Sequence, residues 1–163
     1  MAFMRVVCFV LLVGLAAAAC QPDCAKCPPM WTFYNDNCYR YFGTGKPFAE
    51  AERHCQQFTQ VGQAHLASIA SRDENNLLFT MWESVRGTTE GGLWIGYNDL
   101  VNEGYFSWTD LTEITYTGWS DNEPGGYGSN RDCVEMMRDN GGQWEDKACG
   151  GEKSFFCKLA VTK

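Results

Sequence analysis

The cysteines constrain this chain more than any other feature. Nine are present in 163 residues, and Cys8 lies in a segment that resembles an export leader. Arg5 precedes an apolar run at residues 6–15, and four alanines at 16–19 lead into Cys20. A charged start, a short apolar core and an Ala-x-Ala exit predict a secretory signal peptide over residues 1–19. The apolar run is too short to span a bilayer, and no other stretch approaches that length, so the mature chain is expected to be secreted with no membrane span. The remaining cysteines, at 20, 24, 27, 38, 55, 133, 149 and 157, are even in number, which in an exported chain reads as a disulfide framework. Zinc is the rival, because Cys24 and Cys27 form a C-x-x-C. There is no second such pair, however, and His54 and His65 are not at ligand spacing.

The length fits one domain with a sizeable core. The formal charge is −7, and it becomes more negative by one when Arg5 leaves with the leader. An acidic surface argues against nucleic acid or an anionic membrane as partner. No N-x-Ser/Thr sequon occurs.

Residues 20–26 form a Pro-containing, Cys-containing arm. Aromatic and polar residues then alternate from 30 to 42 around Asn35, Asp36 and Asn37, predicting a hairpin whose ends, Cys27 and Cys38, are close enough to bridge. Lys46-Pro47-Phe48 opens a helix with Phe48, Ala51, Cys55 and Phe58 on one face. Residues 65–69 read as a short buried strand. A second helix starts near Ser71, where Ser71 and Glu74 form a capping box. Strands are predicted at 93–97, 104–108, 134–137 and 155–159. Two helices followed by a strand-rich half indicate an α+β fold. The connection between Trp108 and Cys133 is longer than a structural link requires, which points to a functional loop.

Within residues 119–157, carboxylates alternate with amides, glycines, two tryptophans and three cysteines. Glu123, Glu145 and Asp146 supply the oxygen ligands that a hard cation such as Ca²⁺ takes six to eight at a time. Glycines at 125, 126 and 128 exclude a helix there. A bridge between Cys133 and Cys149 would hold the two acidic clusters together.

These pieces, in this order, resemble the C-type lectin-like domain over residues 27–160. The resemblance rests on Cys27-Pro-x-x-Trp31 with Cys38-Tyr39, Ala49-Glu-Ala-Glu-x-x-Cys55 and Leu66-Ala-Ser-Ile69. It continues through Trp94-Ile-Gly96, Gly104-x-Phe106-x-Trp108, Glu123-Pro124, Cys133, Trp144-x-Asp146, Cys149 and Phe156-Cys157. The whole is similar to soluble invertebrate lectins of the echinoidin kind. It implies bridges Cys27–Cys38, Cys55–Cys157 and Cys133–Cys149, and a cis peptide before Pro124.

In sugar-binding members a Ca²⁺ in the long loop coordinates two vicinal hydroxyls of the sugar. Carried onto this chain, the resemblance makes Glu123, Glu145 and Asp146 ligands of that ion and contacts of the glycan. Gly125 and Arg131 depart from the pattern, each standing where a side-chain ligand belongs. Arg131 also adds a positive charge that repels Ca²⁺ unless its side chain swings away. A second, auxiliary Ca²⁺ site is implied at Asp99, Glu103 and Asp132, with Gly126 in place of a fourth ligand. One or two Ca²⁺ ions are therefore expected. Glu123-Pro124 leans towards mannose-type hydroxyls. Tyr127 lies where galactose-type members stack an aromatic ring on the sugar, which favours galactose or N-acetylgalactosamine.

The expected function is secreted, Ca²⁺-dependent recognition of glycans, as in innate defence or agglutination. The alternative is a lectin-like protein that has lost sugar binding and takes protein, mineral or ice. Glu123 and Asp146 are a formal glycosidase pair, yet acids in a disulfide-bracketed, glycine-rich loop are more simply ligands, so no catalysis is expected. Three bridges leave Cys20 and Cys24 in the arm. Only three residues separate them, so a bridge between them would be strained. They are better placed to cross-link chains into a disulfide-linked homo-oligomer.

Overall fold

The computed structural model describes residues 27–59, 62–85, 91–125 and 130–161. The leader, the arm with Cys20 and Cys24, and Gly126 and Tyr127 lie outside the described residues.

The first hairpin forms as its sequence dictates. β1 (Thr32–Tyr34) pairs antiparallel with β2 (Asn37–Lys46), with Phe33 opposite Cys38. The link between them is Asn35-Asp36, both at positive φ (45° and 57°). Asn and Asp tolerate that region and so make the tight turn that matches strand twist. α1 (Phe48–Cys55) follows Pro47, whose missing amide costs a helix start nothing, and buries Phe48, Ala51 and Cys55.

The strand expected at 65–69 is shorter: β3 is His65–Leu66 alone. The ladder ends at Ala67 because, although its amide still donates to Phe156 O on β8, its carbonyl accepts from Gly96 N on β4 instead, both at 2.9 Å. It thereby joins two strands instead of continuing along one. Gly96 permits that approach, since a Cβ there would lie 2.6 Å from the Leu66 carbonyl oxygen.

α2 (Arg72–Ser84) is capped by Ser71, whose hydroxyl accepts from the Glu74 amide at 3.2 Å. The return half of the expected box goes elsewhere. One Glu74 oxygen accepts from the Ala70 amide at 2.7 Å, and the other from Lys158 Nζ at 2.8 Å and from the Tyr39 hydroxyl. Burial, then Glu74, push the Tyr39 phenol far above its ordinary pKa. A buried carboxylate needs such partners, and here they tie α2 to the sheet.

The second half supplies β4 (Leu93–Asn98), β5 (Ser107–Trp108), β6 (Cys133–Met136), β7 (Trp144–Lys147) and β8 (Lys153–Ala160). The sheet runs β1-β2-β8-β4-β6-β7, with β3 on β8 and β5 on β4. The sheet is antiparallel except where β4 and β8 run parallel, with Trp94 opposite Phe155. The strand expected at 104–108 shrinks to two residues, since Gly104 has φ 78° and the Tyr105 amide turns back to Asn102 O. Trp82, Trp94, Trp108 and Trp144 are fully buried; aromatic side chains remove roughly 150–250 Å² each from water, so they dominate such a core.

All three implied bridges are present: Cys27–Cys38, Cys55–Cys157 and Cys133–Cys149, with Cα separations of 5.7, 5.4 and 5.2 Å. Cys55–Cys157 closes a span of 102 residues. By chain entropy a loop that long stabilises by about 4–5 kcal/mol. No helix among the described residues is long and apolar enough to cross a membrane.

Candidate functional site

The site is built on β7. Strand alternation puts Trp144 and Asp146 on the buried face and turns Glu145 and Lys147 the other way. Trp144 is the floor. Its ring contacts Tyr97, Trp108, Tyr116 and Trp119 at centroid distances of 5.5–6.1 Å. Its indole N–H donates to Asn75 Oδ1 at 2.8 Å, fixing β7 against α2. The loop reaches this floor through Gly118, where a Cβ would sit 3.0 Å from the Trp144 ring. Gly118 O accepts from Trp144 N at 2.8 Å, and Ser120 N donates to Trp144 O at 3.0 Å. From there Asn122 takes positive φ (67°) and the Glu123–Pro124 peptide is cis, as the resemblance implies.

Glu123 and Asp146 are thereby brought together with Arg131 between them. Arg131 Nη2 is 3.0 Å from Glu123 Oε1 and 2.9 Å from Asp146 Oδ1, and Arg131 Nε donates to the Asp146 carbonyl oxygen at 3.0 Å. The Gly125 amide donates to Glu123 Oε2 at 2.6 Å and to Asp146 Oδ1 at 3.3 Å. Asp146 is buried, Glu123 has 15% of its side chain exposed and Arg131 33%. The rim of the cluster thus faces solvent.

The two carboxyl groups, both on Arg131 Nη2, shift each other's titration. Burial, then the Glu123 carboxyl beside it, push Asp146 up to about 6. Burial opposes ionisation of Glu123 too, but the Asp146 carboxyl, the Arg131 guanidinium and the Gly125 amide outweigh it and hold Glu123 below its ordinary value.

Glu145 does not join this pair. Its carboxylate is 2.6 Å from Lys147 Nζ, two residues along the same strand face. Of the three ligands expected in the loop, the fold brings together Glu123 and Asp146. Arg131, expected as an obstacle, is instead the group that links them. The sequence shows both departures from the family pattern, Gly125 and Arg131; that they meet at one point in space is visible only in the fold.

The auxiliary set is assembled differently. Asp99 is buried, its amide donates to Asp132 O at 3.1 Å, and its Oδ2 accepts from Gly104 N at 2.7 Å. Asp99 Oδ1 is buried with no hydrogen-bond partner among the described residues. Burial raises the pKa of Asp132, with further contributions from the charges of Asp99 and Glu103, so the three acids share one electrostatic neighbourhood. Among the described residues no group of three His, Cys, Asp or Glu is already arranged as a metal cage.

A match to the family described as Lectin C-type domain covers residues 44–159. The chain belongs to the C-type lectin family. It is 59% identical, across 99% of both chains, to an alpha-N-acetylgalactosamine-specific lectin of Patiria pectinifera. It is 36% identical to echinoidin of Heliocidaris crassispina, over 83% of this chain and 97% of that one. Among solved structures it is similar to the C-type lectin CEL-I of Cucumaria echinata, with a TM-score of 0.78 and 31% identity over 84% of this chain and 99% of that one. The echinoidin resemblance read from the motifs is thus matched over most of the chain.

Tested against Ca²⁺, the two acid sets of this C-type lectin differ. The 123/146 pair already satisfies its charge on a guanidinium, and Gly125 offers no side-chain oxygen, so the residues present do not fit a calcium ion in that arrangement. The 99/103/132 set has carboxylates and one buried oxygen, Asp99 Oδ1, without a hydrogen-bond partner among the described residues, which is the chemistry a hard ion satisfies.

Proposed function

We propose that the protein is a secreted lectin that binds glycans ending in N-acetylgalactosamine or galactose at the surface of the 119–146 loop. The observation that carries this reading is the 59% identity, end to end, with a lectin named for α-N-acetylgalactosamine. The exposed rim of Glu123 and Arg131 supports it chemically, since vicinal sugar hydroxyls both donate and accept and here meet a carboxylate beside a guanidinium. Tyr127 is proposed as the ring that stacks on the sugar's apolar face, with residues 27–160 as the binding domain. The three disulfides support export to an oxidising compartment. Any Ca²⁺ is proposed at Asp99, Glu103 and Asp132 and would shape the loop from below.

The protein is proposed to have no catalytic activity. Glu123 and Asp146 are both held by one guanidinium nitrogen, at 3.0 and 2.9 Å, which fills the space a glycosidase leaves between its carboxyl groups for the reacting bond.

The linkage through Arg131 favours a second reading, in which the domain no longer takes sugar and binds protein, mineral or ice. A glycan array run with Ca²⁺ and again with chelator separates the two. Signal confined to galactose-type termini in either buffer supports the lectin, and a blank array in both supports the second reading.

A further inference from the structure

We propose that Arg131 is the resident cation of the 119–146 loop, its guanidinium taking the place of a divalent ion between Glu123 and Asp146. Three oxygens converge on this one group: Glu123 Oε1, Asp146 Oδ1 and the Asp146 carbonyl, all within 3.0 Å. A side-chain and a main-chain oxygen of one residue together with a facing carboxylate make a cation's donor set, and Arg131 uses all three.

Gly125 is the other half of the same change. A Cβ there would lie 3.1 Å from Glu123 Oε2 and 3.2 Å from Arg131 Nη1. A larger ligand-bearing side chain at 125 and an inward guanidinium at 131 therefore compete for one space. The two departures from the family pattern are a single, self-compensating substitution: one position loses its side chain so that the other can supply the charge. Guanidinium suits the position because it is always charged and presents several N–H groups in a fixed plane. The loop keeps its two acids in place without an ion, and a sugar engaged there meets carboxylate and guanidinium groups instead of a metal.

The inference rests on the lectin reading only for that last consequence, and the test separates the two. Bound Ca²⁺ is counted by equilibrium dialysis for the parent chain, Glu123→Gln, Arg131→Glu and Arg131→Gln, with near-UV circular dichroism verifying the fold. Retention on immobilised N-acetylgalactosamine is measured on the same samples. The expected result is that Glu123→Gln leaves the parent's count unchanged and that Arg131→Glu binds one more ion per chain. Arg131→Gln serves if the glutamate variant does not fold, and should also gain an ion, more weakly held. Loss of one ion on Glu123→Gln would overturn the proposal, because the parent loop would then already hold calcium. A count that neither Arg131 variant raises would overturn it as well. Failure of the parent to bind the sugar would sink the lectin reading and leave the ion count to decide the cation.

Discussion

Arg131 Nη2 lies 2.9 Å from Asp146 Oδ1, and this contact joins the loop to the strand beneath it. Asp146 is buried on β7, opposite Val134 in the register, while Arg131 leads into Cys133. Removing the guanidinium leaves two neighbouring acids with no cation. Arg131→Ala is expected to destabilise the fold by about 1–3 kcal/mol, below the cost of breaking a fully buried pair because a third of the arginine is exposed. Added Ca²⁺ should raise the melting temperature of this variant more than that of the parent, since an ion that binds only the folded state stabilises it by mass action. Thermal melts with and without millimolar Ca²⁺ check both.

His54 contributes to the pH dependence of stability. Its ring packs among Phe42, Phe58 and Phe155, and its Nε2 is buried with no hydrogen-bond partner among the described residues. Burial, then the charges of Lys46 and Arg40, lower its pKa from the usual 6.5. As pH falls through 6.5, the unfolded chain takes up a proton at this histidine that the folded chain refuses, so His54 contributes a loss of stability on acidification, opposed by Asp146, which is protonated near 6 in the folded chain. His54→Phe should remove that loss, so that the variant loses less stability, or gains more, than the parent between about pH 7 and 5. Denaturant midpoints measured across that window check it, and an unchanged slope would contradict it.

Asn75 links the helix to the site. Its amide donates to Gly142 O at 3.1 Å and accepts from the Trp144 indole at 2.8 Å. Asn75→Ala strands two buried groups and should cost about 2–4 kcal/mol, near 1–3 for each group lost less relaxation. Chemical denaturation measures it. Asn75→Asp keeps the acceptor and should recover the indole half alone.

Several of these partnerships were legible in the sequence and others were not. The family resemblance implies all three bridges, and Ser71 marks the start of α2. Trp144 to Lys147 reads as an acidic loop because it lacks β-branched residues, yet it is a strand, held by pairing to β6 and by a bridge to Trp119. That pairing is long-range and leaves no local signal. The same strand geometry separates Glu145 from Asp146, although they are adjacent in sequence. The direction of Arg131 was illegible because it depends on the space left at Gly125, which is a property of the fold.

Assembly depends on the arm. With six cysteines paired within the domain, Cys20 and Cys24 are proposed to link chains and so convert a weak single site into avidity for clustered glycans. Non-reducing electrophoresis with free thiols blocked should show at least a dimer that collapses on reduction. A monomer in both lanes with a mapped Cys20–Cys24 bridge would contradict it.

The central claim is that the loop around Glu123 binds an N-acetylgalactosamine terminus, and calorimetric titration of the free sugar tests it most directly. Saturable binding is expected with the parent, and Glu123→Gln should weaken it roughly tenfold, the worth of about one charge-assisted hydrogen bond. The absence of saturable heat with the folded parent, or an affinity that Glu123→Gln leaves unchanged, would contradict the account.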